Sequence, residues 1–227
     1  MKLVVLQPSF LPWLGHLDQY CWADKFVLYD DVQFDKHGWR NRNRILTGNG
    51  IQWLTVPVLT KGKEMPLVRD VLIDNSTPWR KKMLESIRQA YSKTPYFDWL
   101  YPRLVAWLEQ DCTLLLDLDV EGLKVLTEML GQPWKAVLSS QLGVEGRKTE
   151  RLVGICQALA ATDYLTGDAA REYLDESQFE AAGVRVHWHS YQHPEYRQRG
   201  KEFVPYLSVI DLMFWNGPDS AAILARS

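Results

Sequence analysis

The chain has 227 residues, of which 46% are hydrophobic, so it can bury a sizeable core as one domain, with or without a subdomain. Charged residues make up 24% and the formal net charge is −2, which excludes a global basic field for binding duplex nucleic acid. Three scattered cysteines are too few for a disulfide framework or a zinc site. No run reaches the roughly 18 apolar residues of a membrane-spanning helix. We therefore expect a cytoplasmic protein with no membrane insertion.

The first thirty residues have the pattern of strand, loop, helix and strand. Residues 2–6 form a continuous apolar run that ends before Pro8, as is typical of a buried strand. Residues 15–23 have the pattern of a short helix, and residues 25–29 form a second apolar run. A right-handed crossover through the helix would place the two strands side by side. We expect them to be neighbours in a mostly parallel sheet.

A polar segment, residues 30–44, follows the second strand and carries the strongest functional signal. It combines carboxylates, amides and arginines with Phe34 and Trp39. Arginine forks suit carboxylate and phosphate groups, and aromatic faces stack on ligands. Two interpretations are open: a binding loop at a strand end, or a solvated loop whose arginines pair with its own aspartates.

The middle of the chain is predicted to hold a hairpin and then helices. Residues 44–46 and 51–56 flank a Gly-Asn-Gly turn, which favours a β-hairpin. Thr77-Pro78 and Thr94-Pro95 each supply an N-cap and a proline for a helix start. The predicted helices span residues 77–91, 94–109 (with Pro102 expected to kink it) and 118–130.

The last third returns to alternating strands and helices. Residues 135–138, 164–166 and 184–188 read as strands, and residues 148–160 and 207–214 read as helices. The expected fold class is α/β, with a mostly parallel sheet flanked by helices and a helical insert at about residues 77–131. We expect residues 1–227 to form a single domain.

Three junctions between a strand and the next helix add candidate ligand-binding residues, because ligands of parallel α/β folds bind at such junctions. Residues 7–16 include two prolines that stiffen the loop, and Trp13 and Gly15 could let a ligand approach the backbone closely. Alternatively, these residues only shape a tight turn of the chain. Residues 139–149 offer hydroxyls, glycines and a basic helix start for an anion. Residues 164–174 place Gly167 at a turn, with Tyr173 near it. Each junction also has a purely structural interpretation.

Two further features concern metals and buried charge. His187 and His189 alternate on a predicted strand with His193 nearby, but no carboxylate or cysteine completes a ligand set. We therefore expect no metal site. Asp211 is an acid within an apolar run, and such an acid is expected to be paired.

The junction at Gly15-His16 is similar to the Gly-His signature of the nucleotidyltransferase superfamily, in which a strand also leads into a Gly-His helix start. Ser139-Ser140 with Arg147-Lys148 is distantly similar to the phosphate-binding motif of that superfamily. The first His of the signature is missing here, and the spacing from Ser to Arg is longer than in that motif.

A set of motifs in chain order resembles a second family over nearly the whole chain. The motifs are Gln7-Pro8-x-Phe10-Leu11-Pro12-Trp13-x-Gly15, Asp30-Asp31-Val32-Gln33-Phe34, Trp39-x-Asn41-Arg42-Asn43, Trp53-Leu54-Thr55-Val56-Pro57, Ser139-Ser140, Gly146-x-Lys148-Thr149, Leu165-x-Gly167, Tyr173-Leu174, His193-Pro194-x-Tyr196 and Leu207-Ser208-x-Ile210-Asp211-Leu212. They resemble the WbqC-like protein family. Many members carry His before the Gln-Pro pair, where this chain has Leu6, so a general-base role of that His does not transfer.

The resemblance implies a role in bacterial O-antigen or other surface-polysaccharide biosynthesis, where glycine or aminoacyl transfer has been suggested. We expect a transferase that modifies a nucleotide-activated or lipid-linked sugar, and a small-molecule substrate that bears phosphate or carboxylate groups. A nucleotidyltransferase-like enzyme and a non-catalytic carbohydrate- or nucleotide-binding protein are the alternatives. The identity of any cofactor stays unknown.

By residue type, Asp30 or Asp31 is the expected acid/base, and His16 is the third candidate catalytic residue. Arg40, Arg42 and Lys148 are expected to hold phosphate or carboxylate groups. The residues that we expect to bind substrate are Gln7, Pro8, Trp13, Gly15, Gln33, Trp39, Arg40, Asn41, Arg42, Asn43, Ser139, Ser140, Lys148, Thr149, Gly167, Tyr173, His193 and Tyr196.

Overall fold

The apolar runs near both ends of the chain form strands of one sheet, and a hairpin forms a second, smaller sheet. The computed structural model describes residues 1–35, 38–60 and 66–225. The strands are β1 (Lys2–Leu6), β2 (Lys25–Leu28), β3 (Arg42–Thr47), β4 (Gly50–Thr55), β5 (Ala136–Leu138), β6 (Asp163–Gly167) and β7 (Arg185–His189). The helices are α1 (Leu14–Trp22), α2 (Trp79–Tyr91), α3 (Phe97–Leu108), α4 (Leu115–Met129), α5 (Lys148–Ala158), α6 (Glu176–Ala181), α7 (Val209–Asn216) and α8 (Ser220–Leu224).

The five-stranded sheet has the order β5-β2-β1-β6-β7, and every neighbouring pair is parallel. The predicted pairing of the first two strands is confirmed, with Val4 opposite Phe26. From β1 the chain moves outward to β2 and β5, and then returns through α5 to β6 on the other side of β1. The strand order therefore reverses between β1 and β6, which is where open α/β sheets bind ligands.

Each face of the sheet packs against its own layer of helices. On β1, Val4 belongs to the core formed with α1, α7 and the helices α2 to α4. Its neighbours Leu3 and Val5 belong to the core formed with α5 and α6. Alternate side chains of a strand point to opposite faces, so one short strand serves both cores. The α/β fold with a mostly parallel sheet flanked by helices is confirmed.

The predicted helical insert is also present, because α2, α3 and α4 lie between β2 and β5 in the chain. The third helix begins at Leu115, three residues before the predicted start, and Leu115 is fully buried. Pro102 lies inside α3. Among the described residues, no helix combines the length and the apolar character needed to cross a membrane.

The predicted hairpin is confirmed as the antiparallel pair β3–β4, which extends from Arg42 opposite Thr55 to Thr47 opposite Gly50. Gly50 has a φ of 100°, a left-handed conformation that favours glycine. The fully buried Asn43 donates to the carbonyls of Phe10 (3.3 Å) and Leu11 (2.7 Å), which ties the hairpin to the segment after β1.

Candidate functional site

A cleft of about 390 Å³ lies at the carboxyl ends of β1 and β6, where the strand order reverses. Its lining is mostly apolar, with polar groups from a few side chains, and these are Tyr29, Lys148, Tyr164, Thr166 and Tyr173. An apolar cavity with few polar groups at this place of the fold is the usual form of a small-molecule site.

A larger groove of about 700 Å³ lies on the helical insert, between α2 and α3. Its lining includes Arg80, Lys81, Glu85 and Glu109, so charges of both signs are present. None of the site residues predicted from sequence lies among its described lining residues. The cleft at β1 and β6 is therefore the better candidate site, although it is smaller.

The start of α5 forms one wall of the cleft. Lys148 is the first residue of α5, is exposed, and has a φ of 48°, a conformation that costs a residue with a Cβ about 1 kcal/mol. The buried Thr149 donates through Oγ1 to the carbonyl of Tyr173 (3.3 Å) and accepts from the amide of Asp175 (3.1 Å). These bonds hold the start of α5 against the segment after β6. Free amides at a helix start and a lysine together favour an anion.

Asp30 links the end of β2 to the turn after β5. Its carboxylate is 1% exposed and accepts from the hydroxyl of Ser139 (2.9 Å), the amide of Ser140 (2.9 Å) and the hydroxyl of Ser140 (2.7 Å). Ser140 supplies two of these donors, and the single hydroxyl proton of Ser139 is shared with Asp31, so the buried carboxylate is compensated for its lost hydration. Ser139 therefore contacts both Asp30 and Asp31, and Ser140 contacts Asp30.

Asp31 lies beside Asp30 and faces α5. Its carboxylate accepts from Ser139 (2.5 Å) and pairs with the guanidinium of Arg151, which also lies over the ring of Tyr29 at 5.1 Å. Burial alone would raise the pKa of Asp31, but hydrogen bonds from Ser139 and Arg151, with the charge of Arg151, hold it below 3.8. Asp31 is therefore ionised at neutral pH and reaches the cleft wall through Arg151 and Tyr29.

Gln7, Arg40 and His16 lie on the α1 side of the sheet. The Nε of Arg40 donates to Oε1 of Gln7 at 2.5 Å, immediately after β1. Burial lowers the pKa of Arg40, while the charges of Asp35 and Asp119 oppose this shift. His16 is 6% exposed with its ring 5.4 Å from Phe26, and burial together with the charge of Arg40 lowers its pKa to about 3. The imidazole is therefore neutral at physiological pH.

Trp13 covers the first turn of α1. A Cβ at Gly15 would lie 2.2 Å from the Trp13 ring, so the close approach requires glycine at this position. The Trp13 ring also contacts Tyr191 and Tyr206, with centroid distances of 5.2 Å and 5.6 Å. Pro8, also in this junction, is buried.

His193 and Tyr196 belong to the segment between β7 and α7. His193 accepts from the amide of Tyr206 (3.1 Å), and Tyr196 donates to Oδ2 of Asp211 (3.1 Å). Tyr91 donates to the other oxygen of Asp211 at 2.7 Å, so this buried acid is paired, as predicted. Burial raises the pKa of Asp211 to about 6, against the hydrogen bonds from both tyrosines.

The remaining predicted residues lie at or before the hairpin. Arg42 lies over the Trp53 ring at 4.6 Å, and Trp39 contacts the same ring at 5.3 Å. Asn41 donates to the carbonyl of Val56 (2.8 Å). Gln33 is exposed, and its backbone forms an isolated antiparallel β-bridge with Leu67. Residues 36 and 37 of the polar segment lie outside the described residues.

The fold thus divides the predicted site residues into groups. Lys148, Gly167 and Tyr173 line the cleft directly. Thr149 hydrogen-bonds to the lining residue Tyr173. A hydrogen-bonded group of four residues reaches the lining residue Tyr29 through Arg151, and its members are Asp30, Asp31, Ser139 and Ser140. The residues that lie towards α1, the hairpin or α7 instead are Gln7, Pro8, Trp13, Gly15, His16, Gln33, Trp39, Arg40, Asn41, Arg42, Asn43, His193 and Tyr196.

Sequence reasoning missed Arg151 and Asp18, which lie at this edge of the sheet. Arg151 follows Lys148 by one helical turn, and that spacing places both on one face of α5. His189 ends β7 opposite Gly167, and its Nε2 lies 2.6 Å from Oδ2 of Asp18 on α1. Within the described residues, no group of three or more His, Cys, Asp or Glu side chains has an arrangement that could hold a metal ion.

Comparison with known proteins agrees with the motifs. The sequence pattern of the WbqC-like protein family matches residues 7–223. The chain is 38% identical over 224 residues to the uncharacterized protein Rv1507c of Mycobacterium tuberculosis, covering 96% of this chain and 95% of that protein. No solved structure matches the chain. With a match across nearly its whole length, this chain belongs to the WbqC-like protein family.

Proposed function

We propose that the protein is a cytoplasmic transferase that modifies a nucleotide-activated or lipid-linked sugar in surface-polysaccharide biosynthesis, with an aminoacyl group such as glycine as the transferred group. Membership in the WbqC-like protein family supports the biosynthetic context. The observation that carries the proposal is the cleft at β1 and β6, because it combines an apolar lining with a lysine at a helix start. Such a combination suits a ligand with a sugar or base at one end and phosphate at the other.

Each wall of the cleft has a part in this proposal. Lys148, which lines the cleft, holds the phosphate together with the first amides of α5, because Lys148 is the first residue of that helix. Tyr29 and Tyr173 flank the opening, where their rings contact the sugar or base. Thr149 fixes the distance between these two walls through its bonds to the segment after β6.

Asp31 is the residue that we assign to the chemistry. As the acceptor hydroxyl or amine attacks the acyl carbon, its proton passes to the Asp31 carboxylate and the activating group leaves with the electron pair of the broken bond. A carboxylate of low pKa is a weak base, so its main contribution is to orient the nucleophile. Arg151 fixes the carboxylate, and Asp30 holds the turn that carries Ser139.

The test is a transfer assay read by mass spectrometry. The purified protein is incubated with nucleotide sugars and lipid-linked sugars together with activated glycine, and the mass of each sugar is followed. We expect one acceptor to gain the mass of an aminoacyl group, and we expect Asp31→Asn to abolish the gain while the ligand still binds. Binding without turnover for every pair would identify a non-catalytic binding protein instead.

A nucleotidyltransferase-like activity is the second candidate, and the strand order favours it. The reversal between β1 and β6 is a common nucleotide-binding arrangement of parallel sheets. Such an enzyme would consume a nucleoside triphosphate, with Mg²⁺, and release pyrophosphate. Its Gly-His signature is a weak support here, because His16 is buried against Phe26. Release of pyrophosphate that depends on a sugar phosphate would favour this candidate over aminoacyl transfer.

A further inference from the structure

The outer face of the hairpin carries a cluster of two tryptophans and two arginines, which we name the hairpin platform: Trp39, Arg42, Arg44 and Trp53. The two indole rings lie 5.3 Å apart. The guanidinium of Arg44 lies 5.4 Å from the Trp39 ring and 5.8 Å from the Trp53 ring. No platform residue is among the described residues that line the cleft.

This arrangement follows from the alternation of side chains along the two strands. Arg42 and Arg44 are two positions apart on β3, so their side chains lie on one face. Trp53 lies opposite Arg44 on β4, where cross-strand side chains contact each other. Asn43 and Ile45 point to the other face and are fully buried. The platform therefore lies on the face of the hairpin that does not pack against the core.

The platform is accessible and held in position. Arg42 covers one face of the Trp53 ring, yet Trp53 is still 44% exposed. Nη2 of Arg44 donates to the carbonyl of Tyr206 at 2.9 Å, which fixes the guanidinium over the rings. Nε of Arg44 is buried and has no hydrogen-bond partner among the described residues, and Arg44 forms no ion pair with a described carboxylate. A positive charge without a carboxylate partner among the described residues therefore lies beside an exposed indole.

A shallow groove of about 250 Å³ adjoins Trp53 between β4 and α2. Its polar lining residues are Gln52, Thr55, Lys82 and Ser86. Gln52 donates to the hydroxyl of Ser86 at 3.0 Å, so the amide and the hydroxyl are already paired at its rim. Trp53 thus belongs both to the platform and to the lining of this groove, which also carries amide, hydroxyl and ammonium groups.

We propose that the hairpin platform and this groove bind an anionic saccharide. The indole of Trp53 packs against the apolar face of one sugar ring and Arg44 binds the carboxylate or phosphate of that sugar, while Lys82, Gln52 and Ser86 in the groove bind the adjoining sugar. This inference rests on the proposed function, in which the platform is the subsite for the glycan acceptor. A single-stranded nucleic acid also uses aromatic rings and cations, but it needs a longer basic track along its phosphates.

The experiment compares three probes by calorimetry and by the indole N–H signals in NMR spectra. The probes are a hyaluronan tetrasaccharide, which carries glucuronate, the neutral maltotetraose, and oligothymidylate. We expect the intact protein to bind the hyaluronan tetrasaccharide, and we expect Trp53→Ala and Arg44→Gln each to weaken that binding at least about tenfold. The Trp53 indole signal is identified from the Trp53→Phe spectrum, and thermal melting shows that each variant is folded.

Trp134 offers a matched control, because it is 42% exposed and has the ammonium of Lys124 over its ring at 5.4 Å. Trp134→Ala should leave the affinity unchanged. Equal losses in Trp53→Ala and Trp134→Ala, tighter binding of maltotetraose or oligothymidylate, or no binding of the acidic probe would overturn the inference. If binding depends on Trp53 but no probe pair shows transfer in the assay above, the platform is confirmed as a saccharide site and the proposed transferase function is contradicted.

Discussion

The guanidinium of Arg151 contacts the carboxylate of Asp31 at the carboxyl edge of the sheet. The two residues are 120 positions apart in sequence, and each side chain is only 13% exposed. The pair joins the first turn of α5 to the segment after β2, next to the Tyr29 ring on the cleft wall. It thus connects a predicted catalytic acid with the candidate binding site.

Asp31→Asn should abolish transfer and leave ligand affinity within a few-fold of the original value, because the amide keeps the shape of the side chain but loses the charge that orients the nucleophile and accepts its proton. The measurement is the transfer assay together with calorimetry of the sugar ligand. Asp168→Asn is the matched control, since Asp168 also pairs with an arginine but lies in the open, with its side chain 69% exposed. Full activity of Asp31→Asn would contradict the assignment.

Asp30→Ala should destabilise the fold by about 2–3 kcal/mol, because it removes a buried acceptor and leaves the amide and hydroxyl of Ser140 without their partner. Urea unfolding measures the change in the free energy of unfolding. Asp74→Ala is the control, since Asp74 accepts from the amide and hydroxyl of Ser76 in a solvent-accessible turn. A loss at Asp30 no larger than that at Asp74 would show that the buried network is not needed for the fold.

Asp211 gives the protein a stability that depends on pH. Its folded pKa is about 6, raised by burial, whereas the unfolded value is near 3.8. Between these values the folded state binds more protons, so the free energy of unfolding should fall as pH rises from about 4 to about 6, by roughly 3 kcal/mol. Asp211→Asn should remove this dependence, and urea unfolding at several pH values measures it. The same slope in the variant and the parent protein would show that Asp211 is not the titrating group.

His16 should not titrate between pH 5 and pH 8, because burial and the charge of Arg40 lower its pKa to about 3. The chemical shift of its imidazole protons, identified by comparison with His16→Gln, measures this over the same pH range. A midpoint near 6.5 would show that the imidazole is accessible to water, and it would return His16 to the candidate catalytic residues.

Local patterns were sufficient to predict the sheet and the helical insert. The apolar runs of β1 and β2 have the length of buried strands, and the Thr-Pro pairs lie within three residues before the starts of α2 and α3. The predicted threonine caps are wrong, because the N-cap residues are Pro78 and Tyr96. The start of α4 was misplaced by three residues because Leu115 is buried by tertiary packing rather than selected by a local cap.

The arrangement of the site could not be obtained in the same way. Asn43 has the residue type of a ligand-binding amide, yet both of its N–H groups donate to the segment after β1, and this depends on where the hairpin docks. Arg151 reaches Asp31 only because the chain returns across the sheet through α5. Sequence spacing identifies the chemistry of such residues, whereas contacts between distant segments decide which of them meet.

Lys148 provides the most direct test of the central claim that the cleft at β1 and β6 binds a phosphate-bearing sugar. Calorimetry would compare the intact protein with Lys148→Ala and with Lys124→Ala, using UDP-glucose, GDP-mannose, dTDP-glucose and a lipid diphosphate sugar as probes. Alanine retains the Cβ at the left-handed position, so the backbone cost stays the same, and Lys124 is an exposed lysine on α4. The account predicts that one probe binds the intact protein and Lys124→Ala equally and binds Lys148→Ala at least about tenfold more weakly. Equal affinity in all three proteins, or no binding of any probe, would contradict it.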